Sequence, residues 1–514
     1  MSENHFSRRH FFYGSLLAGA VPTGGYGSVP SLKALGYKFL NEKLNIAAIG
    51  VGTRGPQILL GAAPTENIVA LCDVDEVRSA RGFEAYPKAN KYKDFRKMLD
   101  KEGNNIDAVM IATPDHTHTP IALLCMQHGK HTYCEKPLTR TPSEARLLAD
   151  AAQKYKVATQ MGNQGFNHEG TKTACEILWS GDIGEVREVH AWTGGIYGGQ
   201  PNIPESGPES QEVPGTLDWD LWLGPAAPRP FNKLMTNQWR AFLDFSTGGS
   251  LGDWLVHNLG PAHLALRLAE ASPISVECVT VEGKNPWVWP LRAHVVFEFP
   301  ARANMPAVTI HTYQNMRGDF QNPAGMEENE RLFPPMNNLA DKGRPFVGTG
   351  DGTMMVGSQL TVDGKPAQGR PAGMGPRPGG PGAPGGAPGN ASQRAPGNGA
   401  VFVGSKGHMA TTSRGEGVWL LPASKWAEYK LPPQVLQRGI NHQQDWIRAC
   451  KGGAPGVSEF SVATKYIEWL ALGAVALRVP GKLMWDAKTM RFTNNEEANK
   501  FLKPFVRKGW EMKL

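Results

Sequence analysis

An α/β fold in two domains is predicted by three features of the 514-residue chain. The apolar run Leu44–Ile49 leads without a break into Gly50-Val51-Gly52-Thr53-Arg54-Gly55. A second apolar run, Ile68–Cys72, ends at Asp73. From Val276 onward, stretches such as Ala293–Phe299 and Ala307–His311 alternate apolar and polar side chains. Strand, glycine turn, strand and acid predict an N-terminal Rossmann dinucleotide-binding domain. The alternating runs predict a C-terminal α/β domain with an open, mainly antiparallel sheet. The divisions are residues 1–43 as leader and linker, 44–165 as nucleotide-binding domain and 166–514 as second domain. The last contains an insert at 365–400.

Ahead of the first strand, Ser7-Arg8-Arg9-His10-Phe11-Phe12 precedes the mildly apolar Gly14–Val21. This is a twin-arginine pattern, and it predicts export to the periplasm or beyond. The apolar run is far too short to span a bilayer. Twin-arginine export carries folded proteins, which suits a cofactor acquired in the cytoplasm. The six cysteines form no CxxC pair and are expected as unpaired, structural thiols. Of the formal charge of +7, a net +3 lies in residues 1–40 and +4 in 365–400. The body is close to neutral, so no phosphate-tracking surface for nucleic acid is expected. Hydrophobic residues at 40% and charged residues at 20% suit a globular chain.

In the nucleotide-binding domain each motif residue has a task. Gly50 permits the tight turn, Gly52 lets the backbone approach a pyrophosphate, and Gly55 allows the helix to pack closely. Thr53 and Arg54 lie on the same loop. Asp73 is placed to accept from a ribose 2′-hydroxyl and to repel a 2′-phosphate, which favours NAD over NADP. Arg54 could soften that preference. Asp73 could also cap the following helix.

The strand Ala108–Ala112 then runs into Thr113-Pro114-Asp115-His116-Thr117-His118, and the next into Glu135-Lys136-Pro137. With Gly50–Gly55, these pieces resemble the glucose–fructose oxidoreductase / inositol dehydrogenase (Gfo/Idh/MocA) family, its exported twin-arginine subgroup in particular. The resemblance runs from about residue 44 to the C-terminus. It implies that Lys136 lies beside the nicotinamide and the reacting hydroxyl, and that Thr113, Pro114, His118 and Glu135 border the cofactor. A lysine at a strand's carboxyl end can also hydrogen-bond a substrate oxygen and stabilise developing alkoxide charge. His118 either borders the nicotinamide or caps the helix near Pro120.

Gly162-Asn163-Gln164-Gly165 reads as the crossing into the second domain. There, Thr247-Gly248-Gly249-Ser250-Leu251-Gly252-Asp253-Trp254-Leu255-Val256-His257 resembles the family's second signature. The i,i+4 spacing places Asp253 and His257 on one helical face. The resemblance implies that His257 is the acid–base and Asp253 orients it; a surface pair is the alternative. With His263 they lack a clear third metal ligand, and no metal site is predicted. Gln164, His168, Trp239 and Arg240 are candidate substrate-site residues. Phe402–Gly407 resembles a hairpin of the family's sheet, whose outer face pairs subunits, so a homo-oligomer is expected. Residues 365–400, rich in Gly and Pro, cannot bury a core and are expected as a disordered loop. The function this implies is hydride transfer between NAD and a ring hydroxyl or keto group of a sugar, sugar derivative or cyclitol. The alternative is a redox-neutral glycoside hydrolase with tightly bound NAD.

Overall fold

The computed structural model describes residues 42–196, 199–327, 330–344, 396–438 and 440–514. The Arg8-Arg9 leader and residues 365–395 of the insert lie outside these. The first domain is a six-stranded parallel sheet: β1 (Asn45–Ile49), β2 (Asn67–Cys72), β3 (Asn90–Tyr92), β4 (Ala108–Ile111), β5 (His131–Glu135) and β6 (Thr159–Gly162). Its order is β3-β2-β1-β4-β5-β6. β4 and β5 are buried throughout and β1 nearly so. Parallel strands covered on both faces read as continuous apolar runs, which explains why β1 and β4 stand out in the sequence. The chain turns outward from β1 to β2 and returns beside β1 at β4. The strand order therefore reverses between β1 and β4, where sheets of this kind open a ligand crevice.

The helix His442–Cys450, far along the chain, completes this domain's core. Asn441 caps it through Gln444 N–H. Trp446 packs against Tyr133 at 5.7 Å, and Lys451 Nζ donates to Glu66 Oε1 at 2.7 Å. The C-terminal tail also returns to the first domain, with Trp510 against Phe95 at 5.9 Å.

The second domain is a nine-stranded sheet of β7 (Val186–Thr193), β8 (Ser275–Glu282), β9 (Arg292–Phe299), β10 (Val308–Gln314), β11 (Gly399–Gly404), β12 (His408–Thr412), β13 (Val418–Leu421), β14 (Leu483–Asp486) and β15 (Arg491–Phe492). The order is β13-β12-β11-β7-β10-β9-β8-β14-β15. Among the described residues, only the β7–β10 pairing of this sheet is parallel. The helix Phe460–Ala476 covers one face, with Trp469 edge-on to Phe297 and Phe299 at 5.0 and 5.5 Å. The insert ends earlier than composition suggests. Gly399 and Ala400 are buried in β11, because a glycine there sits tightly against β12 (a Cβ would lie 2.4 Å from Thr411 O). All six cysteines are free thiols. Among the described residues, no helix is long and apolar enough to cross a membrane.

Candidate active site

The predicted cofactor residues gather at the carboxyl ends of β1, β2, β4 and β5. Gly50 has φ +83°, and a Cβ on it would lie 2.7 Å from the Ala112 carbonyl carbon. A Cβ on Gly55 would lie 2.1 Å from Gly50 O. No other residue fits either place, so the loop closes as the motif requires. Thr53 is exposed on its crest. Gly52 points towards Arg78, whose Cβ would be 3.2 Å from an added methyl.

Asp73 is tied to the backbone of the loop it faces. Its Oδ2 accepts from Val51 N–H at 2.8 Å and its Oδ1 from Asp75 N–H at 3.0 Å. Burial pushes its carboxyl up to about 6. A carboxylate has about four lone-pair sites, so two backbone bonds leave capacity for ribose hydroxyls. Arg54 turns the other way, to Glu135 Oε1 at 3.0 Å on the β5 side of the crevice. It is thereby held away from the β2 end, where a 2′-phosphate would need it.

Glu135 is a junction. Besides Arg54 it accepts from Gln164 Nε2 at 3.1 Å, and it is buried. Lys136 Nζ donates to Asp253 O at 2.6 Å and Asp253 Oδ1 at 3.2 Å. Arg240 Nε donates to the same Oδ1 at 3.0 Å, and its guanidinium lies 4.2 Å over the Trp239 ring. Burial lowers the Lys136 pKa, opposed by the Asp253 carboxylate.

Two expectations need correction. Asp253 pairs with Lys136 and Arg240, while His257 Nδ1 lies 2.9 Å from Asn163 Oδ1. The physical reason is that Leu251–Leu255 is wound as a π-turn, wider than an α-turn, so the i,i+4 rule does not apply. Asn163 Nδ2 donates to Val256 O at 3.1 Å, which fixes the amide and leaves Oδ1 as acceptor. His257 therefore carries its proton on Nδ1 and presents Nε2 as acceptor. Burial, with Lys136 nearby, holds its pKa well below the usual value, so the ring is neutral. The second correction concerns His118. Its Nδ1 and Nε2 each lie 2.8 Å from a backbone carbonyl, Pro137 O and Thr113 O. A neutral ring donates from only one of these nitrogens, so one of the two contacts is the hydrogen bond that braces the Thr113-Pro114 loop against the lysine turn, and both nitrogens face backbone carbonyls and not the cofactor crevice. Burial pushes its pKa down to about 4, against the two carbonyls.

Gln164 and His168 are both buried. His168 Nδ1 lies 2.8 Å from Arg414 O, and the Arg414 guanidinium lies 5.4 Å over Trp254. Trp254 in turn is 6.0 Å from His257. Arg414, from the turn between β12 and β13, and Asn163 are site residues without a sequence signal. Asp115 is another. Its Oδ2 accepts from Thr247 N–H at 3.2 Å, and Thr247 Oγ1 donates to Thr139 O at 2.8 Å, so the Gly-rich turn is pinned to the first domain.

Burial pushes the Asp115 carboxyl up to about 7. The unfolded carboxyl titrates near pH ~4, so folding takes up a proton between the two values. The stabilising contribution is complete below pH ~4 and is lost as pH rises towards about 7. Asparagine keeps an acceptor for Thr247 N–H and cannot ionise. Asp115→Asn should therefore gain on wild type by about 1.4 kcal/mol per pH unit across that window. Urea midpoints at pH 5 and pH 8 check this; the same difference at both would show an ordinary carboxyl.

Residues 44–163 match the family model described as Gfo/Idh/MocA oxidoreductase family, NAD-binding Rossmann fold. Residues 198–293 match the model of that family's C-terminal alpha/beta domain. A glycosyl hydrolase family 109 protein of Saccharopolyspora erythraea is 34% identical over 176 residues, 30% of this chain and 38% of that protein. A levoglucosan dehydrogenase of Pseudarthrobacter phenanthrenivorans is 28% identical over 193 residues, 34% of this chain and 47% of that protein. The matched stretch thus spans less than half of either relative. A crystal structure of an inositol dehydrogenase homolog with NAD+ from Azotobacter vinelandii superimposes with a TM-score of 0.50 at 15% identity. It covers 88% of this chain and 99% of that one, and the likeness is one of fold. Matched in their order along the chain, the two models support the family resemblance carried by Gly50–Gly55, Glu135-Lys136-Pro137 and Thr247–His257.

Proposed function

We propose that the chain is an NAD-dependent oxidoreductase acting on a ring hydroxyl, or the corresponding keto group, of a sugar, sugar derivative or cyclitol. The observation that carries this is the pairing of two prepared groups at the crevice. Lys136 is held as a cation by Asp253, and His257 is held as a neutral acceptor by Asn163. NAD, held by the Gly50–Gly55 loop with Asp73 at its ribose, supplies the hydride acceptor. Lys136 hydrogen-bonds the substrate oxygen and stabilises the alkoxide that develops as the carbinol C–H bond breaks. His257 Nε2 takes the hydroxyl proton, and returns it in the reducing direction. The turn of Arg54 towards Glu135 supports NAD over NADP.

A second reading is supported by the relative named as a family 109 glycosyl hydrolase. A redox-neutral hydrolase would use the same two groups twice, oxidising and then reducing one sugar. The test is a panel of sugars and cyclitols with NAD or NADP, followed as NADH absorbance, beside aryl glycosides without added nucleotide. Net NADH from a free sugar or cyclitol supports the oxidoreductase. Aryl alcohol released without net NADH supports the hydrolase, and neither result would sink both.

Two further parts of the proposal rest on the sequence and the resemblance. Export by the twin-arginine route rests on Arg8-Arg9. Changing both to lysine should hold the protein in the cytoplasm, and an unchanged periplasmic yield would exclude the route. Homo-oligomerisation through the sheet of the second domain rests on the family resemblance, and a monomer mass by light scattering would overturn it.

A further inference from the structure

The face of the nine-stranded sheet opposite the helix Phe460–Ala476 carries a set of side chains that the crevice does not use. Glu188 and His190 are two residues apart on β7 and so project from one face. β10 pairs with β7 in the register His311↔His190. The two imidazoles therefore stack, with centroids 4.6 Å apart and planes 6° from parallel. One ligand atom from each of Glu188, His190 and His311 lies within 4.8 Å of the others.

The surroundings orient these groups. Tyr313 Oη lies 3.1 Å from His190 Nδ1, and His294 Nε2, from β9, lies 3.1 Å from His311 Nδ1. Each contact leaves the Nε2 of its partner for another use. His190 Nε2 lies 3.4 Å from Glu188 Oε2. Two ligands about 2.0–2.1 Å from a tetrahedral ion stand roughly 3.3 Å apart. Phe320 closes one side at 4.8 Å from His190. His190 is buried and Glu188 exposed, so an ion would enter past the carboxylate. A hydrogen bond accounts for His294 with His311. Another joins Glu188 to His190, and the register of β10 on β7 adds the His311 imidazole to that pair, with the three ligand atoms within 4.8 Å of one another.

We propose that Glu188, His190 and His311 bind a divalent transition-metal ion, with Tyr313 and His294 orienting the two imidazoles. Two imidazoles and a carboxylate suit zinc and its neighbours; magnesium and calcium prefer all-oxygen sites. The site lies on a sheet face apart from the Rossmann crevice and is independent of the reaction proposed above.

The test uses the tag-free full-length protein, stripped with a chelator and titrated with zinc by calorimetry and with cobalt by visible absorption. One equivalent per chain is expected, with a rise in melting temperature as ion is added. His190→Ala and His311→Ala should each abolish stoichiometric uptake, and His294→Ala should weaken it about 10-fold or more. The exposed His128, changed to alanine, should leave uptake unchanged. Glu188→Gln alters an exposed side chain, so loss of the zinc-dependent thermal shift there would not be a folding effect. No stoichiometric uptake by wild type, or uptake retained in the His190→Ala/His311→Ala double variant, would overturn the proposal.

Discussion

Lys136→Met should lower turnover by about 10²–10³-fold, the scale of a lost charge-stabilising donor, while leaving NAD bound at the Gly50–Gly55 loop. An ammonium has three donors. Two are committed to Asp253, one to its carbonyl and one to its carboxylate. Under the proposed function the third meets a substrate oxygen, and the fixed pair determines where it points. Methionine keeps the apolar stem and removes charge and donors together. Asp253 keeps Arg240 as a partner, so the turn around it is not stripped of countercharge. Burial lowers the Lys136 pKa from its usual value near 10.5. Wild-type activity should therefore fall on an alkaline limb below pH 10.5 that is absent from the residual activity of the variant. Steady-state kinetics with a calorimetric NAD titration check both parts. A kcat within about threefold of wild type would remove Lys136 from the chemistry, since one such donor is worth far more.

The first domain was legible because its determinants are local. β1 and β4 are apolar runs with both faces covered, and Gly50 and Gly55 stand where any side chain would collide with backbone. The second signature was legible in place but not in geometry. Asp253 and His257 are four apart, and the inference from that spacing assumed an α-helix. The π-turn rotates them to different partners, Lys136 and Asn163. Asn163 could not be singled out because its task depends on which way an amide points across two domains. His118 misled for the opposite reason: a histidine at a strand end looks available, and only the structure shows two carbonyls on it. The Glu188–His190–His311 set was invisible to spacing because His311 meets His190 through strand register, not through sequence proximity.

The role of Asn163 makes the last prediction. His257→Ala should lower kcat/KM by about 10²–10⁴-fold, the range for a lost general acid–base group. Asn163→Ala keeps the ring but frees its tautomer, and should cost about 10–100-fold, as loss of an orienting partner does. Because Asn163 acts through His257, the double variant should be no worse than His257→Ala. Size alone does not separate orientation from simple packing, but pH does. A base must be deprotonated to act, so activity falls as pH drops through its pKa. In wild type, burial and Lys136 hold the His257 pKa well below 6.5, which places the acid limb of kcat/KM below pH 6.5. Asn163→Asp puts a carboxylate 2.9 Å from Nδ1 in nearly the same shape. An adjacent negative charge favours the imidazolium, so the His257 pKa rises and the acid limb moves up in pH. The profile of Asn163→Asp against wild type reads this directly. An acid limb that stays where it was would show that Asn163 packs against His257 without setting its protonation, and that another group carries the proton.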